Sequence, residues 1–345
     1  MHKPSELPLA ADGSLYHIHL TAGTLADKVL LVGDPERVDM FKGIFDSIEH
    51  ESRNRELHAV TGSYHGTRMT ALSTGMGCDN IDIVMTELDA AANIDFETCR
   101  QSRRHTTRLV GRADGIPRDF KSRSLQIIRI GTSGSLQEEI DCGSHVAAEY
   151  AVGLDGLMNY YKEWRESKSR RVEESKMEEA FISHLAPLAP QGRRPQFSSD
   201  LSPFARPYCV EGSRLLLDKI APDMYHGITA TAPGFYGPQG RTVRLHPAID
   251  DLNEKLASFQ WSESQKVEKS KSREDSSTLQ PFDSSTLKVT NLEMETSAIY
   301  GFSHLMGHEA LTVCLIIANR PKGTFLSDYH ELMRQLVGTV VERFT

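Results

Sequence analysis

Short runs of apolar and β-branched residues recur along the 345-residue chain and stop at glycine or at charged residues. They predict six strands: Val29–Val32, Met69–Thr74, Leu125–Ile130, Ile228–Ala232, Thr286–Leu292 and Leu311–Ala318. Helical patterns follow at Asp79–Ala92, Thr296–Met306 and Tyr329–Phe344. Strands that alternate with helices indicate an α/β sandwich, and such sheets bind ligands at the carboxyl ends of their strands.

Composition excludes several classes of protein. The chain has 39 Lys+Arg against 47 Asp+Glu, a net charge of −8, which argues against nucleic acid as the main partner. None of the five cysteines has the spacing of a zinc site or a disulfide framework, so we expect reduced thiols and no metal. The first 14 residues lack the apolar segment of a signal peptide, and Ala310–Ala318 is too short for a membrane helix. We therefore expect a cytoplasmic protein without a membrane partner.

Three polar stretches interrupt the alternation: Thr98–Ser124, Lys162–Pro203 and Ser262–Ser285. The first has eight basic and two acidic residues, so the rest of the chain carries −14. It is either a patch for an anionic partner or a solvated loop, and the loop is favoured because charge runs are usually solvated. The second starts as a charged, helical run, and the third has the composition of a disordered segment. The first and third precede a strand, so we expect them away from the ligand face.

Groups suited to binding an anion lie near several predicted strand ends. Gly33 offers a backbone N–H at a helix start, with Arg37 one turn later. Arg129 and Thr132 flank the end of another strand, and Arg55 lies in a short basic stretch. Several arginines with an N–H and a hydroxyl form a site for a phosphate dianion. Taken singly, an arginine near a strand end more often forms a surface ion pair.

Two further motifs suit a sugar and a base. Glu293-Met294-Glu295 places carboxylates at a strand-to-helix junction, where they can accept hydrogen bonds from vicinal hydroxyls or complement the helix dipole. The stretch Phe235–Arg241 combines aromatic rings with the amide of Gln239 and a guanidinium. An amide donates and accepts whereas a guanidinium only donates, which suits a planar base with carbonyls and a ring N–H. The alternative for this stretch is a plain Pro/Gly loop.

Together these motifs resemble the nucleoside phosphorylase family. Gly-Asp-Pro-x-Arg occurs early, Arg-Ile-Gly-Thr-Ser-Gly in the middle and Glu-Met-Glu late, while Phe-Tyr-x-x-Gln-x-Arg and Asn319-Arg320 are similar to the uridine phosphorylase branch. The similarity runs from about Tyr16 to the C-terminal helix. It implies a three-layer sandwich around a mixed central β-sheet. It also implies one domain over residues 1–345, instead of the two that the length suggests, with insertions at about 98–124, 162–203 and 262–285.

The resemblance also implies site residues, with Arg129, Gln239, Arg241 and Glu295 as the catalytic set. The phosphate site comprises Gly33, Arg37, Arg55, Arg129 and Thr132. The ribose site comprises His17, Glu293, Met294 and Glu295. The base site comprises Ser133, Gly134, Phe235, Gln239, Arg241, Ile317 and Arg320.

By the same resemblance, Arg55 and His17 reach the site of a neighbouring subunit, with His19 as the alternative to His17. A shared site requires a homo-oligomer, at least a dimer, with a hexamer as the larger alternative. Phosphate is a co-substrate, and no cofactor is implied. Some relatives hold a monovalent cation near the position of Glu56, but Asn80 stands where they have serine, which argues against potassium here.

The expected reaction is phosphorolysis of uridine, or a related pyrimidine nucleoside, to uracil and ribose 1-phosphate. Purine-specific relatives have an aspartate near the end of the last strand, whereas Ile317–Arg320 contains no carboxylate. The alternatives are a purine nucleoside phosphorylase, a nucleosidase of the same fold, and a non-catalytic nucleoside-binding or storage protein. The arginines at the phosphate positions argue against a hydrolase. Uridine, deoxyuridine and thymidine remain open as substrates.

Overall fold

Twelve β-strands and eight α-helices occupy the part of the chain that the computed structural model describes, residues 5–94, 123–167, 172–185, 206–262 and 286–345. The strands are β1 Lys28–Val32, β2 Ser47–Asn54, β3 Leu57–Tyr64, β4 Thr67–Ser73, β5 Gln126–Ser135, β6 His145–Gly153, β7 Tyr208–Glu211, β8 Tyr225–Thr231, β9 Gln260–Ser262, β10 Thr286–Glu293, β11 Glu309–Asn319 and β12 Thr324–Phe325. The helices are α1 Pro35–Lys42, α2 Cys78–Asn93, α3 Lys162–Glu166, α4 Val172–Leu185, α5 Arg214–Ile220, α6 Leu252–Ser258, α7 Thr296–Met306 and α8 His330–Phe344.

The strands form one mixed sheet in the order β12-β11-β6-β8-β10-β5-β1-β4-β3-β2, with β7 on β6 and β9 on β10. Strand β5 pairs in parallel with β1 and β11 and antiparallel with the end of β10. Because β11 also pairs with β6, the strands β5, β11, β6, β8 and β10 close into a ring. The carboxyl ends of β1, β4, β5 and β10 converge beside this ring.

Helices cover both faces of the sheet, as the α/β sandwich requires. Along β1, Val29 and Leu31 belong to the core cluster with α2 and α7, whereas Leu30 and Val32 belong to the cluster with α1, α5 and α8. Alternate residues of a strand point to opposite faces. The predicted three-layer sandwich around a mixed sheet is therefore confirmed.

The predicted helices and most predicted strands agree with the structure to within a few residues. One prediction is wrong: Leu125–Ile130 does not end in a turn at Gly131–Gly134. Strand β5 continues through these residues to Ser135, because β11 pairs with it from Gln126 as far as Ser135. Strands β2, β3, β6, β7, β9 and β12 are not among the predicted ones; β2 reads SIEHESRN and has no apolar periodicity.

The three insertions lie largely outside the described residues, so the expectations about them stay predictions. Helices α3 and α4 confirm the helical character of the run that starts at Lys162. At the first insertion, Arg123 N–H donates to the Asn93 side chain at 2.7 Å. Both flanks therefore lie at the start of β5, opposite the converging strand ends. Of the described helices, none is long and apolar enough to cross a membrane, and Cys78, Cys142, Cys209 and Cys314 are free thiols.

Candidate functional site

A cavity of about 480 Å³ lies where the strand ends converge. It brings together thirteen of the predicted site residues: Gly33, Arg37, Arg129, Thr132, Ser133, Gly134, Phe235, Gln239, Arg241, Glu293, Met294, Glu295 and Ile317. They come from β1, α1, β5, the loop after β8, β10 and β11, so segments far apart in the sequence form one site. Three predicted residues, His17, Arg55 and Arg320, do not line it.

A buried ion-pair cluster forms the floor of the cavity. Arg129, on β5, donates through Nη2 to Glu295 Oε2, and its Nη1 lies 3.2 Å from Glu293 Oε2. Nη1 also donates to Cys314 Sγ on β11 at 3.6 Å. Burial alone would lower the pKa of Arg129, but the carboxylates of Glu295 and Glu293 raise it above its ordinary value. Arg129 therefore stays charged, and its charge is balanced by two carboxylates.

The two carboxylates are held differently. Glu293 accepts from Thr231 Oγ1 at 2.7 Å and from the backbone N–H groups of Glu295 and Thr296 at 2.9 and 3.0 Å, so it caps the start of α7. Glu295 accepts at Oε1 from the Gly77 N–H at 2.7 Å. Burial raises the pKa of Glu295 above the ordinary glutamate value, even though Arg129 opposes the shift. Glu293 therefore fits the helix-dipole interpretation of Glu-Met-Glu, whereas the binding of sugar hydroxyls by Glu295 stays a prediction.

A second arginine on the cavity wall, Arg37, has a charge that no carboxylate among the described residues balances. Asp34 caps α1 by accepting from Glu36 N–H at 2.9 Å, and Pro35 is the first helical residue. This start aims the first turn of α1 at the cavity and places Arg37 on its wall. The Arg37 guanidinium lies 6.0 Å from the Tyr329 ring centroid and has no carboxylate partner among the described residues. An anion entering the cavity would meet this free cation.

The third side of the cavity has groups suited to a planar polar ring. Gln239 Oε1 accepts from Arg241 Nη1 at 2.6 Å and from Arg320 Nη2 at 3.2 Å. Arg241 Cζ stacks 3.7 Å from the Phe235 ring centroid. Burial and the charge of Arg320 lower the pKa of Arg241. Both arginines bond to Oε1 of Gln239. Its Nε2 donor has no partner in the described part of the chain and is left for a ligand.

Arg320 and Asn319 have separate roles. Arg320 is absent from the cavity wall but contacts Gln239 directly, so it supports the wall from behind. Asn319 is buried and donates through Nδ2 to the carbonyls of Gln137, Glu138 and Ile140. Asn319 therefore stabilises the loop of residues 137–140, and its side chain is turned away from the cavity.

His17 and Arg55 lie outside the cavity of their own chain. Arg55 is exposed in the turn between β2 and β3, with a positive φ of 55°. His17 Nδ1 lies 2.6 Å from Glu87 Oε1 on α2, and His19, the alternative, has a positive φ of 52°. Their assignment to a neighbouring subunit's site stays a prediction.

The residues at the position of a possible monovalent-cation site are poorly suited to hold a cation. Glu56, Gly75 and Met76 line the cavity, but the Asn80 amide nitrogen, a donor, faces Gly75: a Cβ on Gly75 would lie 2.3 Å from it. A separate cluster of Asp39, Glu51 and His58 brings potential metal-ligand atoms together. Its carboxylates already pair with Lys42 at 3.1 Å and Arg53 at 3.0 Å, so it is an ion-pair network.

Four residues escaped the sequence analysis: Gly77, Asn291, Cys314 and Tyr329. Gly77 follows β4 as Gly33 follows β1, so its strand-end position was a usable signal. Asn291 donates to Ser133 Oγ at 2.9 Å and holds the cavity wall from inside the sheet. Tyr329 and Cys314 touch the two arginines through tertiary contacts that no local pattern shows.

Comparisons with known proteins agree with this geometry. The sequence profile described as "Phosphorylase superfamily" matches residues 27–344. A uridine phosphorylase of Thermococcus kodakarensis is 26% identical over 322 residues, 93% of this chain and 83% of the relative. A purine nucleoside phosphorylase of the DeoD type from Alkaliphilus metalliredigens is 30% identical over 144 residues, 41% of this chain and 48% of the relative.

Among solved structures, a nucleoside phosphorylase of Trypanosoma brucei, described as showing uridine phosphorylase activity, superposes with a TM-score of 0.74 at 27% identity and covers 97% of this chain and 99% of its own. The profile match spans nearly the whole chain, and the strand ends that form the cavity fall within it. The chain belongs to the phosphorylase superfamily of nucleoside phosphorylases, pentosyltransferases that act on nucleosides and phosphate.

Proposed function

We propose that this protein is a pyrimidine nucleoside phosphorylase that converts uridine and phosphate to uracil and ribose 1-phosphate. The observation that carries the proposal is the base end of the cavity. There Gln239 and Arg241 present an amide and a guanidinium, Arg320 holds Gln239 from behind, and Asn319 is turned into the fold. Uridine phosphorylase relatives at 26–27% identity support the same substrate class.

In this proposal phosphate binds at one end of the cavity, against the Gly33 N–H, Thr132, Arg37 and Arg129. The unbalanced charge of Arg37 favours binding of the phosphate dianion. The ion pair between Arg129 and Glu295 fixes the position of both side chains. Charge-assisted hydrogen bonds of this kind are about twice as strong as neutral ones. The phosphate oxygen then lies beside C1′ of the nucleoside.

Ribose and base occupy the rest of the cavity. Glu295 accepts hydrogen bonds from the sugar hydroxyls, and Met294 packs against the ring. The C1′–N bond breaks as the C1′–O bond to phosphate forms, and the bond electrons leave with uracil, which takes up the phosphate proton. Arg241 stabilises negative charge on the uracil carbonyl, and phosphate stabilises positive charge on the sugar. Holding both reactants in one cavity removes the entropic cost of their encounter.

We further propose a homo-oligomeric assembly, at least a dimer, because His17 and Arg55 lie outside their own cavity. The free thiols of Cys78, Cys142, Cys209 and Cys314 support a reducing, cytoplasmic location. The single-domain organisation over residues 1–345 is part of the same proposal. It is supported by a cavity that draws on residues from Gly33 to Tyr329.

A purine nucleoside phosphorylase is the second candidate, because the Alkaliphilus metalliredigens relative matches part of the chain. Absorbance-monitored cleavage of uridine, thymidine and inosine, with and without phosphate, separates the candidates. We expect uridine to be cleaved only with phosphate, and inosine roughly 100-fold more slowly. Faster cleavage of inosine would support the purine enzyme. Phosphate-independent cleavage would support a nucleosidase, and binding without cleavage a non-catalytic protein.

A further inference from the structure

Asp155 is a carboxylate beside the start of α7 that the proposed reaction does not use. It follows β6 and is partly buried. The Tyr208 hydroxyl lies 2.9 Å from its Oδ1, the Ser297 hydroxyl donates to its Oδ2 at 2.7 Å, and the Leu157 N–H donates to its Oδ1 at 2.8 Å. Three donors around one carboxyl group are the environment of an ionised carboxylate, which only accepts hydrogen bonds.

The negative charge of this cluster lies on Asp155. The titratable side chains that face it are Tyr208, on β7, and Cys78, the first residue of α2. Burial raises the pKa of both groups well above their ordinary values, so both stay protonated. Burial raises the pKa of Asp155 as well, but its three hydrogen-bond donors oppose that shift. No cation pairs with Asp155 among the described residues, so these donors hold its charge.

Ser297 connects Asp155 to the ion-pair cluster on the floor of the cavity. Its hydroxyl donates to Asp155, and its backbone N–H donates to Thr231 Oγ1 at 3.0 Å. Thr231 gives its only hydroxyl proton to Glu293 at 2.7 Å, and Glu293 lies 3.2 Å from Arg129. A displacement of Ser297 is therefore passed on to Glu293 and Arg129.

The same contacts join both flanks of the second insertion to α7. Asp155 precedes α3 on one side of the insertion, and Tyr208 begins β7 on the other side. The Tyr208 ring packs edge-on against Trp164 of α3, with ring centroids 5.6 Å apart. Gly153 leaves room for the cluster, because a Cβ there would lie 2.5 Å from the Tyr208 ring and 2.7 Å from Asp155 Oδ2. The base of the insertion is thus tied to the start of α7.

We infer that Asp155 is a positioning residue for the reaction: through Ser297 it fixes the start of α7, and with it Glu293 and Glu295. Asp155 does not line the cavity, so it acts through these carboxylates and not on the substrate. This inference rests on the proposed function, because that function makes the two glutamates part of the ribose site.

The first test asks whether Asp155 acts on the two glutamates, and it needs no substrate. The carboxyl groups of aspartate and glutamate are labelled with ¹³C, and NMR resonances are assigned by comparison with Asp155→Asn, Glu293→Gln and Glu295→Gln. At neutral pH we expect an ionised Asp155 in the wild type, and shifted resonances of Glu293 and Glu295 in Ser297→Ala. A protonated Asp155, or unchanged glutamate resonances, would overturn the inference whether or not the protein cleaves nucleosides.

The second test is a double-mutant cycle measured on kcat/KM for uridine. Asp155→Asn and Ser297→Ala should each lower kcat/KM about tenfold, because each weakens the hydrogen bond that fixes the start of α7. The double variant should lose little more than either single variant, since all three lack the same charge-assisted hydrogen bond. Losses that add up in the double variant would show that the two residues act separately, and would overturn the inference.

Tyr300→Phe is the matched control for this cycle. It removes a buried hydroxyl from the same helix, but that hydroxyl donates to the Ala148 carbonyl at 2.7 Å. It should lower the free energy of unfolding and change kcat/KM for uridine less than about twofold. An equal loss of kcat/KM in Tyr300→Phe would show that any weakening of α7 suffices, which would also overturn the inference. Absence of cleavage by the wild-type protein would instead contradict the proposed function.

Discussion

At the residue scale, the two arginines of the phosphate end differ in how their charge is used. Arg129 is buried against Glu293 and Glu295, whereas Arg37 faces the cavity beside the Tyr329 ring. Sequence position predicted both as anion ligands because both lie near the end of a predicted strand. It could not show that one is neutralised, because its carboxylate partners come from β10. Arg129 thus fixes the two carboxylates that we propose bind ribose, and Arg37 supplies the net positive charge.

Replacement of Arg241 should impair cleavage of the nucleoside and leave the KM for phosphate nearly unchanged. In Arg241→Ala, kcat/KM for uridine should fall by about 10² or more, because the donor that stabilises charge on the leaving base is lost. The KM for phosphate should change less than about threefold, since Arg241 stacks on Phe235 at the base end. Steady-state kinetics with each substrate varied separately checks this. Equal losses for uridine and phosphate would contradict the assigned role.

The raised pKa of Glu295 predicts a pH dependence for nucleoside binding. As the pH falls, Glu295 takes up a proton at a higher pH than an ordinary glutamate, about 4.3, and loses its full capacity to accept from ribose. Uridine affinity, measured by calorimetry without phosphate, should therefore begin to weaken on acidification at a pH above the one at which an ordinary glutamate takes up its proton. Glu295→Gln should bind uridine more weakly and without this dependence. The same acid weakening in both proteins would assign it to another group.

At the element scale, strand order decides where the site forms, and it was only partly visible in the sequence. The alternation of strands and helices predicted the sandwich, and the ends of the predicted strands indicated Gly33 and Glu295 as site residues. The stretch Gly131–Gly134 looked like a turn because glycine usually ends a strand. Pairing with β11, a strand far along the chain, keeps it extended and places Thr132 and Ser133 on the cavity wall. Long-range pairing has no local signature.

The loop between β4 and α2 offers a test of backbone placement. Gly77 has φ of +95°, and a Cβ there would lie 2.7 Å from Asp79 Oδ1, so Gly77→Ala should displace the N–H that Glu295 accepts. Gly66 is the control, because its φ is +76° and a Cβ would contact nothing within 4 Å. Each alanine should lower the free energy of unfolding by about 1–2 kcal/mol.

Only Gly77→Ala should also weaken uridine binding, by roughly tenfold, the cost of one charge-assisted hydrogen bond. Thermal unfolding and calorimetric titration of both variants give the two quantities. Unchanged uridine affinity in Gly77→Ala, or an equal loss in Gly66→Ala, would contradict the role of the Gly77 N–H.

At the scale of the whole molecule, the cavity draws on residues from both halves of the chain, yet His17 and Arg55 lie outside it. The order and type of the sequence motifs identified the residues that line the cavity. For His17 and Arg55, only a resemblance pointed to a role, because a contact between subunits, as proposed for them, leaves no pattern within one subunit. With a net charge of −8, the proposed binding of phosphate requires a few well-placed arginines, because the bulk charge of the chain does not attract an anion.

If Arg55 completes the site of a neighbouring subunit, mixtures of two inactive variants should regain a defined fraction of activity. Arg55→Ala and Arg241→Ala should each be nearly inactive alone. Mixed dimers contain one site with both residues intact, so an equal mixture after dissociation and reassociation should recover about a quarter of wild-type activity. Arg241→Ala mixed with Glu295→Gln is the control and should recover nothing, because both changes lie in the chain's own cavity. No recovery in the first mixture would show that Arg55 acts within its own subunit or not at all.

³¹P NMR tests most directly whether the protein cleaves uridine by phosphorolysis. Wild-type protein is incubated with uridine and inorganic phosphate, and ³¹P NMR is recorded while uracil is measured by absorbance. We predict a new sugar-phosphate resonance that grows mole for mole with uracil as the inorganic phosphate signal declines. Uracil released with free ribose and undiminished phosphate, or no uracil at all, would contradict phosphorolysis at this cavity.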